Sequence, residues 1–541
     1  MKRFFLYIFL PAVILATACK KTAEGYPLER WDEDVVFDPT DSVGSYASQF
    51  LMNVYSYLPN SFAGVSSNAL LDAGTDDAVY RYPGSTIEIF VNGAWTSWNM
   101  PDNVWSKYYT GIRRANIFLK NIGGVPLKTA SLKPQWKAEA RFLRAMFYFE
   151  LVKRWGGVPI IGDTVYRLED NVDLPRNTYD ECIQYIANEC DSVQDKLLKE
   201  NTIADGDWGR ITRTAALSLK ARALLYAASP LNNTTNDLSK WKKAVDASKA
   251  IVDLGTHSLY SAYNTMFVTR KTTETILGYQ SGTGYGLETN NGPTGYSGTG
   301  AGNGLNNPTQ NLVDAFPMKN GKAITETGSG YDPQNPYTNR DPRLGYTILY
   351  NTTTWLNRAV ELYNGGRDYS GTQTGYYMRK FLGAFTTSTA YSATNHNAMI
   401  FRYAETLLNY AEALNEYNSA PPEAAFTAVE AIRQRAGLSP YTISRSLNQA
   451  DFRKLVRNER RLELAFEEHR FWDIRRWKIA PEVLNATVLK GINITKNGTT
   501  YSYDYNRNVI TTTAWNDRMY LYPIPIAEME KSKKLVQNPG W

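Results

Sequence analysis

Residues 452–477, FRKLVRNERRLELAFEEHRFWDIRRW, contain no glycine or proline and are dense in strong helix formers, so they read as one long helix. Phe452, Leu455, Val456, Leu462 and Phe466 recur at helical spacing and form an apolar stripe. Glu459 falls on that stripe, while Arg460, Glu463, Glu467, Arg470, Asp473 and Arg476 crowd its borders. A surface helix would keep such charges on its far side. Either the carboxylates do chemistry, or ion pairs lock the helix into a core. Glycoside hydrolysis needs two carboxyl groups about 5 to 10 Å apart, and Glu463 and Glu467 stand one turn apart. The general acid of such a pair needs a raised pKa, whereas Arg460, Arg470 and Arg476 alongside would keep both groups ionised. Ion pairing is the favoured reading, for Asp76 with Asp77 and for Glu467 with Glu468 as well.

Further helices are expected over 42–58, 103–121, 133–155, 177–198, 212–228, 241–254, 399–417 and 423–436. In the third, Ala138, Phe142, Ala145, Phe149 and Val152 form the buried stripe, and Gly156-Gly157-Val-Pro ends it. Consecutive antiparallel pairs with small residues at the crossings suggest tetratricopeptide-like stacking without the 34-residue consensus. Between the two groups of helices the texture changes. Residues 281–308 are rich in Gly, Asn and Thr, and no Gly-Lys-Ser/Thr follows to make them a phosphate loop. Residues 311–385 are mixed, with a strand-like run at 346–350, and 521–541 form an extended, proline-punctuated tail.

The N-terminus reads as an address. Lys2 and Arg3 precede an apolar run over 4–15, then Ala16, Thr17, Ala18 and Cys19, the order of a secretory signal. The Cys after small residues resembles a lipoprotein signal, in which Cys19 becomes the acylated first residue; the alternative is an ordinary cleavage near Ala18. Polar residues 20–41 suit a tether. Cys182 and Cys190 share one expected helix about 12 Å apart along its axis, too far for a disulfide. With three dispersed histidines and neither CxxC nor HExxH, no metal or cofactor is expected. A net charge of +6, spread over 59 basic and 53 acidic residues, gives no nucleic-acid footprint.

Several segments together resemble the SusD/RagB outer-membrane lipoproteins: RFLRAMFYFELVKRWGGVPI (141–160), RITRTAALSLKARALLY (210–226), PTQNLVDAFPMKNGK (308–322), NPYTNRDPRL (335–344), FRYAETLLNYAEALNE (401–416), AIRQRAGL (431–438), the segment 452–477, and LYPIP with QNPGW at the end. The resemblance implies a mainly α fold, a tetratricopeptide-like helix-pair superhelix supporting a loop-rich, mixed second lobe. It divides the chain into a signal peptide (1–18), a lipidated tether (19–41), an N-terminal helical region (42–280) and a C-terminal region with the loop-rich insert and closing helices (281–541). It also implies a non-enzymatic, lipid-anchored protein of the cell outer membrane, facing outward, that binds glycan, or in some members peptide, for a SusC-like TonB-dependent transporter. Two departures stand out: Lys20 and Lys21 replace the acidic cluster that often marks surface export, and Ser532 and Lys533 stand where the family often has Asn-Pro.

A glycan site needs aromatic faces for sugar rings and amides or hydroxyls for their hydroxyl groups. Aromatic residues make up 13% of the chain, with 37 Tyr and 13 Trp, more than a core requires. Trp95, Trp98, Tyr285, Tyr296 and Trp355 lie in polar loops and are the expected contacts, with Asn92, Asn99 and Asn303 as polar partners. Trp95 and Trp98 rank first, because two indoles so close together lack apolar neighbours in their loop.

Overall fold

The computed structural model describes residues 33–541 apart from Leu168 and Thr511. The expected signal peptide, Cys19 and residues 20–32 of the tether lie outside the described residues. Phe37 is buried, its ring 5.4 Å from Phe50 and 6.0 Å from Phe118, so the folded body takes in the end of the expected tether.

Ten helices of eight residues or more occur among the described residues. They are α1 Ser45–Tyr55, α2 Trp105–Asn121, α3 Leu132–Trp155, α4 Tyr179–Val193, α5 Arg213–Ala228, α6 Leu238–Leu254, α7 Tyr403–Tyr417, α8 Glu423–Ala436, α9 Gln449–Glu463 and α10 His469–Arg476. Local chemistry sets their ends. Thr178 and Glu181 cap α4 reciprocally, and Gly255 and Gly437, at φ of 60° and 87°, close α6 and α8.

Helices α2 to α7 pack in series, each on the next, and α7 then packs on both α8 and α9. This is the tetratricopeptide-like stack, and α3 runs through its centre. The expected stripe of α3 is buried, but so are Leu143, Met146, Phe147, Tyr148 and Leu151 on its other faces, the signature of an enclosed helix. Its buried Arg154 meets Asp102 at 2.6 Å and Glu150 at 2.7 Å. Cys182 and Cys190 are buried free thiols.

The stack is continuous in space but not in sequence. Helix α6 ends at Leu254 and its neighbour α7 begins at Tyr403. The chain between them builds most of the second lobe, including the strands β1 Thr275–Gly284 and β2 Thr394–Arg402, paired antiparallel. Residues 399–402, expected to open a helix, are instead the end of β2, because a short apolar run serves either structure. A hairpin of β3 Leu489–Asn497 and β4 Thr500–Ile510 completes this side. Alternation along β4 sends Tyr501 to Tyr363 and Tyr503 to Tyr337, each with ring centroids 5.9 Å apart, while the Tyr505 hydroxyl lies 3.2 Å from that of Tyr331. Much of the aromatic excess is therefore structural.

The segment 452–477 is not one helix. It breaks after Glu463, and Phe466 and Glu468 take left-handed conformations, φ 63° and 65°, each costing about 1–2 kcal/mol for a non-glycine residue. Side chains from distant segments take up the backbone groups that leave the helix. Asp72 accepts from Phe466 N at 2.9 Å and Glu468 N at 3.2 Å, while the Glu463 carbonyl accepts from Arg402, Lys380 and Tyr263 at 2.8, 2.9 and 3.1 Å.

The break lets Glu463 and Glu467 grip one guanidinium. Arg402 meets Glu463 Oε1 at 2.7 Å, Glu467 Oε2 at 2.7 Å and Glu274 Oε1 at 2.6 Å. Arg435 bonds Glu274 at 2.9 Å and also Glu463, Arg343 reaches Glu463 at 3.0 Å and Glu459 at 2.6 Å, and Lys380 holds Glu467 at 2.8 Å. All of these side chains are buried. The sequence reading placed Arg460, Arg470 and Arg476 beside these carboxylates. Those arginines instead serve Asp473, Asp76 and Glu412, and the Arg460–Asp473 pair ties α9 to α10 across the break. Removing one partner of a buried pair leaves the others uncompensated, at about 3–5 kcal/mol. Glu463→Gln is expected to lower stability by that amount in chemical denaturation, with the ligand affinity of the folded fraction unchanged; a wild-type unfolding midpoint would show that the cluster holds nothing together.

Candidate functional site

The carboxylates first suspected of catalysis are enclosed and paired. Burial pushes the Glu463 carboxyl up, but Arg435, Arg402 and Arg343 outweigh it and hold the group well below the usual range. Glu467 is lowered in the same way, with Arg402 and Lys380 overcoming its burial. Asp76, despite burial, is brought down to about 2 by Arg461 and Arg470, which it meets at 2.8 and 2.9 Å. Groups held ionised in this way are poor proton donors. Burial raises Asp77, although Arg461 holds it at 2.6 Å, and also Glu468, where Lys153 and Arg154 do not offset it. Asp72 is raised to about 8 by burial and by the charges of Asp77 and Glu468, but both its oxygens accept from the backbone turn at 466–468.

The five expected aromatic contacts separate into two kinds. Trp95 and Trp355 are fully buried and offer no free face, which corrects their assignment. The Trp95 ring packs against Phe90, Tyr522 and Trp541 at 5.1, 5.2 and 5.1 Å. Its apolar company comes from Phe90, five residues earlier, and from the C-terminal tail. Trp355 is covered by Phe385 at 5.6 Å and Tyr391 at 6.2 Å. Tyr296 is half-buried beside it, donating its hydroxyl to the Trp355 carbonyl at 2.6 Å with the Arg358 guanidinium 3.8 Å over its ring. Trp98 is 76% exposed and Tyr285 41% exposed.

The polar glycine-rich stretch is a built loop. Asn303 N bonds Thr289 O at 2.7 Å, Gly302 N bonds Pro293 O at 3.0 Å and Gly304 N bonds Gly292 O at 3.1 Å, folding the segment onto itself. A Cβ on Gly302 would lie 2.1 Å from Gly292 O, and one on Gly295 would lie 2.5 Å from Asp368 Oδ1, so both positions need glycine. Asp368, fully buried, anchors the loop through Gly295 N at 3.0 Å and pairs with Arg358 at 2.6 Å. Arg81 reaches over to the Asn303 carbonyl at 2.6 Å, and its guanidinium lies 5.2 Å from the ring of Tyr82, itself 52% exposed. Arg81, Tyr82 and Asn303 thus stand together, and Tyr285 is exposed elsewhere on the same stretch of chain as Asn303. The sequence reading missed Tyr82, although the Pro83-Gly84 turn after it was a signal for an exposed ring. Trp98 stands on a separate loop, where Thr96 Oγ1 accepts from Trp98 N at 3.3 Å and Asn99 N at 3.1 Å and so fixes the turn that presents the indole.

A cleft of about 600 Å3 opens elsewhere, lined by Trp208, Arg210, His257, Lys271 and Gln280 among others. The Trp208 indole donates to Arg270 O at 2.8 Å, with Lys271 Nζ 5.1 Å from its ring. None of the five expected aromatics lines this cleft.

Family models match two stretches of the chain. Residues 272–541 match the SusD family, and residues 85–225 match a family described as starch-binding, associating with the outer membrane. SusD-like protein P2 of Formosa agariphila is 26% identical over 466 residues, 81% of this chain and 80% of that one. The crystal structure of a SusD-like protein from Bacteroides fragilis superposes with a TM-score of 0.78 at 29% identity, covering 93% of this chain and 98% of that one. A SusD-like carbohydrate-binding protein from the same species gives 0.76 at 25% identity, covering 92% and 99%. For Trp95 the expected outcome follows from its enclosure. Trp95→Ala lowers stability by about 3–5 kcal/mol in thermal or chemical unfolding, and wild-type stability would restore the ring to the surface.

Proposed function

This chain belongs to the SusD/RagB family, and on that premise we propose that it is a lipid-anchored, outward-facing protein that captures glycan for a SusC-like TonB-dependent transporter. The observation that carries the glycan reading is the contrast between a rigid frame, whose carboxylates are consumed in ion pairs, and fixed loops that hold Trp98, Tyr82 and Tyr285 in solvent. An indole or phenol held by its own loop loses little entropy when a sugar ring stacks on it. Arg81, Asn99 and Asn303 stand beside these rings to meet hydroxyl groups. The similarity to a solved carbohydrate-binding relative supports the same ligand class.

Among the expected contacts, Trp98, Tyr285 and Tyr296 remain as proposed contacts, in that order of exposure, and Tyr82 joins them. A carrier must release what it catches, so modest affinity from a few stacked rings suits the role better than an enclosed pocket. The acyl anchor at Cys19 would keep the protein beside its transporter, since several chains bind a bilayer stably where one does not.

Trp98→Ala is expected to weaken glycan binding by about 1–2 kcal/mol, five- to thirty-fold, in isothermal titration against a panel of neutral oligosaccharides. Unchanged affinity for every bound member of the panel would move the site off this loop. Cys19→Ala is expected to shift the protein from the membrane pellet to the soluble fraction, and full membrane retention would refute the acyl anchor.

A further inference from the structure

A second cavity, about 560 Å3, lies where the connection between α5 and α6 meets α7, α9 and Lys478. Its two carboxylates are already taken. Glu412 accepts from Arg476 at 2.6 and 2.7 Å and from the Trp477 indole at 2.6 Å, and Glu416 accepts from Arg453 at 2.5 and 2.6 Å. Two cations on the same lining are left over. The Arg457 side chain makes no hydrogen bond and no ion pair among the described residues; its guanidinium lies 4.7 Å over the Trp477 ring, and its Nε is buried without a partner. Lys478, at φ 57°, likewise has no carboxylate partner among the described residues, and its Nζ lies 5.4 Å from the Tyr520 ring.

Burial pulls Arg457 below its ordinary value, and the charges of Glu412 and Glu416, already engaged by Arg476 and Arg453, offset that only in part. Neighbouring donors are also in place. Trp241 Nε1 donates to Asn236 Oδ1 at 3.1 Å, which fixes that amide and turns its NH2 outward as a donor, and Thr234 lines the cavity beside it. Two cations without ion-pair partners and a hydrogen-bonded amide on one lining describe a complement to an anionic sugar, while Trp241 behind them is buried and serves as floor. Arginine suits carboxylate and sulfate alike, because its planar fork meets two oxygens at once.

We propose that this cavity is a second ligand site, taking an acidic sugar residue whose oxyanion, a uronate carboxylate or a sulfate ester, lies on Arg457 and Lys478. The assignment rests on the reading of the chain as a glycan binder but uses residues remote in sequence from Trp98 and from the 285–305 loop. It makes the protein selective for glycans that carry charge at intervals, with the neutral stretches left to the exposed rings.

The test is isothermal titration of the full chain with trigalacturonic acid, galactose 6-sulfate and a neutral trisaccharide, with inorganic sulfate as control. Trigalacturonic acid, galactose 6-sulfate or both bind the wild type, and the one that binds names the oxyanion. Arg457→Gln and Lys478→Gln each weaken that binding about tenfold or more, and raising NaCl from about 50 to about 500 mM weakens it further. Trp98→Ala leaves it unchanged, so loss of the neutral-glycan site and loss of this one are separable. Melting temperatures of both Gln variants stay near that of the wild type, since neither cation is paired. The proposal is overturned if neither acidic sugar binds, if both Gln variants bind as the wild type does, or if only free sulfate is held, an adventitious ion only.

Discussion

The contact on which the rest of the molecule depends is the grip of Glu463 and Glu467 on Arg402. Arg402 ends β2, Glu463 ends α9, Glu467 lies in the turn before α10, and Glu274, Arg343, Lys380 and Arg435 enter from four further segments. Apolar packing holds such elements together but is non-directional and sets no angle between them. Short charge-assisted hydrogen bonds are directional, and this cluster uses them to define how the helical stack meets the second lobe. Well-packed hydrophobic residues can match such a cluster in stability, but they carry no directional bonds to set a register.

The same economy explains where recognition can occur. Rings with partners are consumed by the frame: Trp95 under the C-terminal tail, Trp355 under Phe385 and Tyr391, the β4 tyrosines on Tyr331, Tyr337 and Tyr363. The most exposed rings, Trp98 and Tyr82, stand on loops whose backbone is itself hydrogen-bonded. Such loops pre-set the ring without burying it, which is the arrangement a reversible binder needs.

Helices were legible because their cause is local: periodicity, caps and terminal glycines sit within a few residues of one another, and 105–121, 132–155 and 423–436 fall almost where the pattern puts them. Features caused by distant residues were not. The break at Phe466 has no marker in its own segment, since its carboxylate acceptor, Asp72, stands at the other end of the chain. Trp95 looked like a surface ring because its immediate neighbours in sequence are polar, and Tyr522 and Trp541 from the far end of the chain join Phe90 to make it core. The fate of Glu463 was legible in kind, an ion pair, but its partners Arg343, Arg402 and Arg435 were not. The unpaired state of Arg457 was invisible for the same reason, since a missing partner is defined only by the whole fold.

The placement of the second lobe between α6 and α7 bears on how the chain acquires its shape. The face of α6 that carries Trp241, Ala244 and Val245 belongs to the same apolar cluster as Ala404, Leu407, Leu408 and Ala411 of α7. Until residue 403 has emerged and folded back, that face has no cover from α7, and everything from Gly255 to Arg402 must close as a loop around it. Loop closure of that size slows assembly more than it weakens the product. The protein therefore spends its most vulnerable interval with one half of a helical stack complete and its next layer still unmade, so the window for aggregation, or for a chaperone, opens at α6 and shuts at α7.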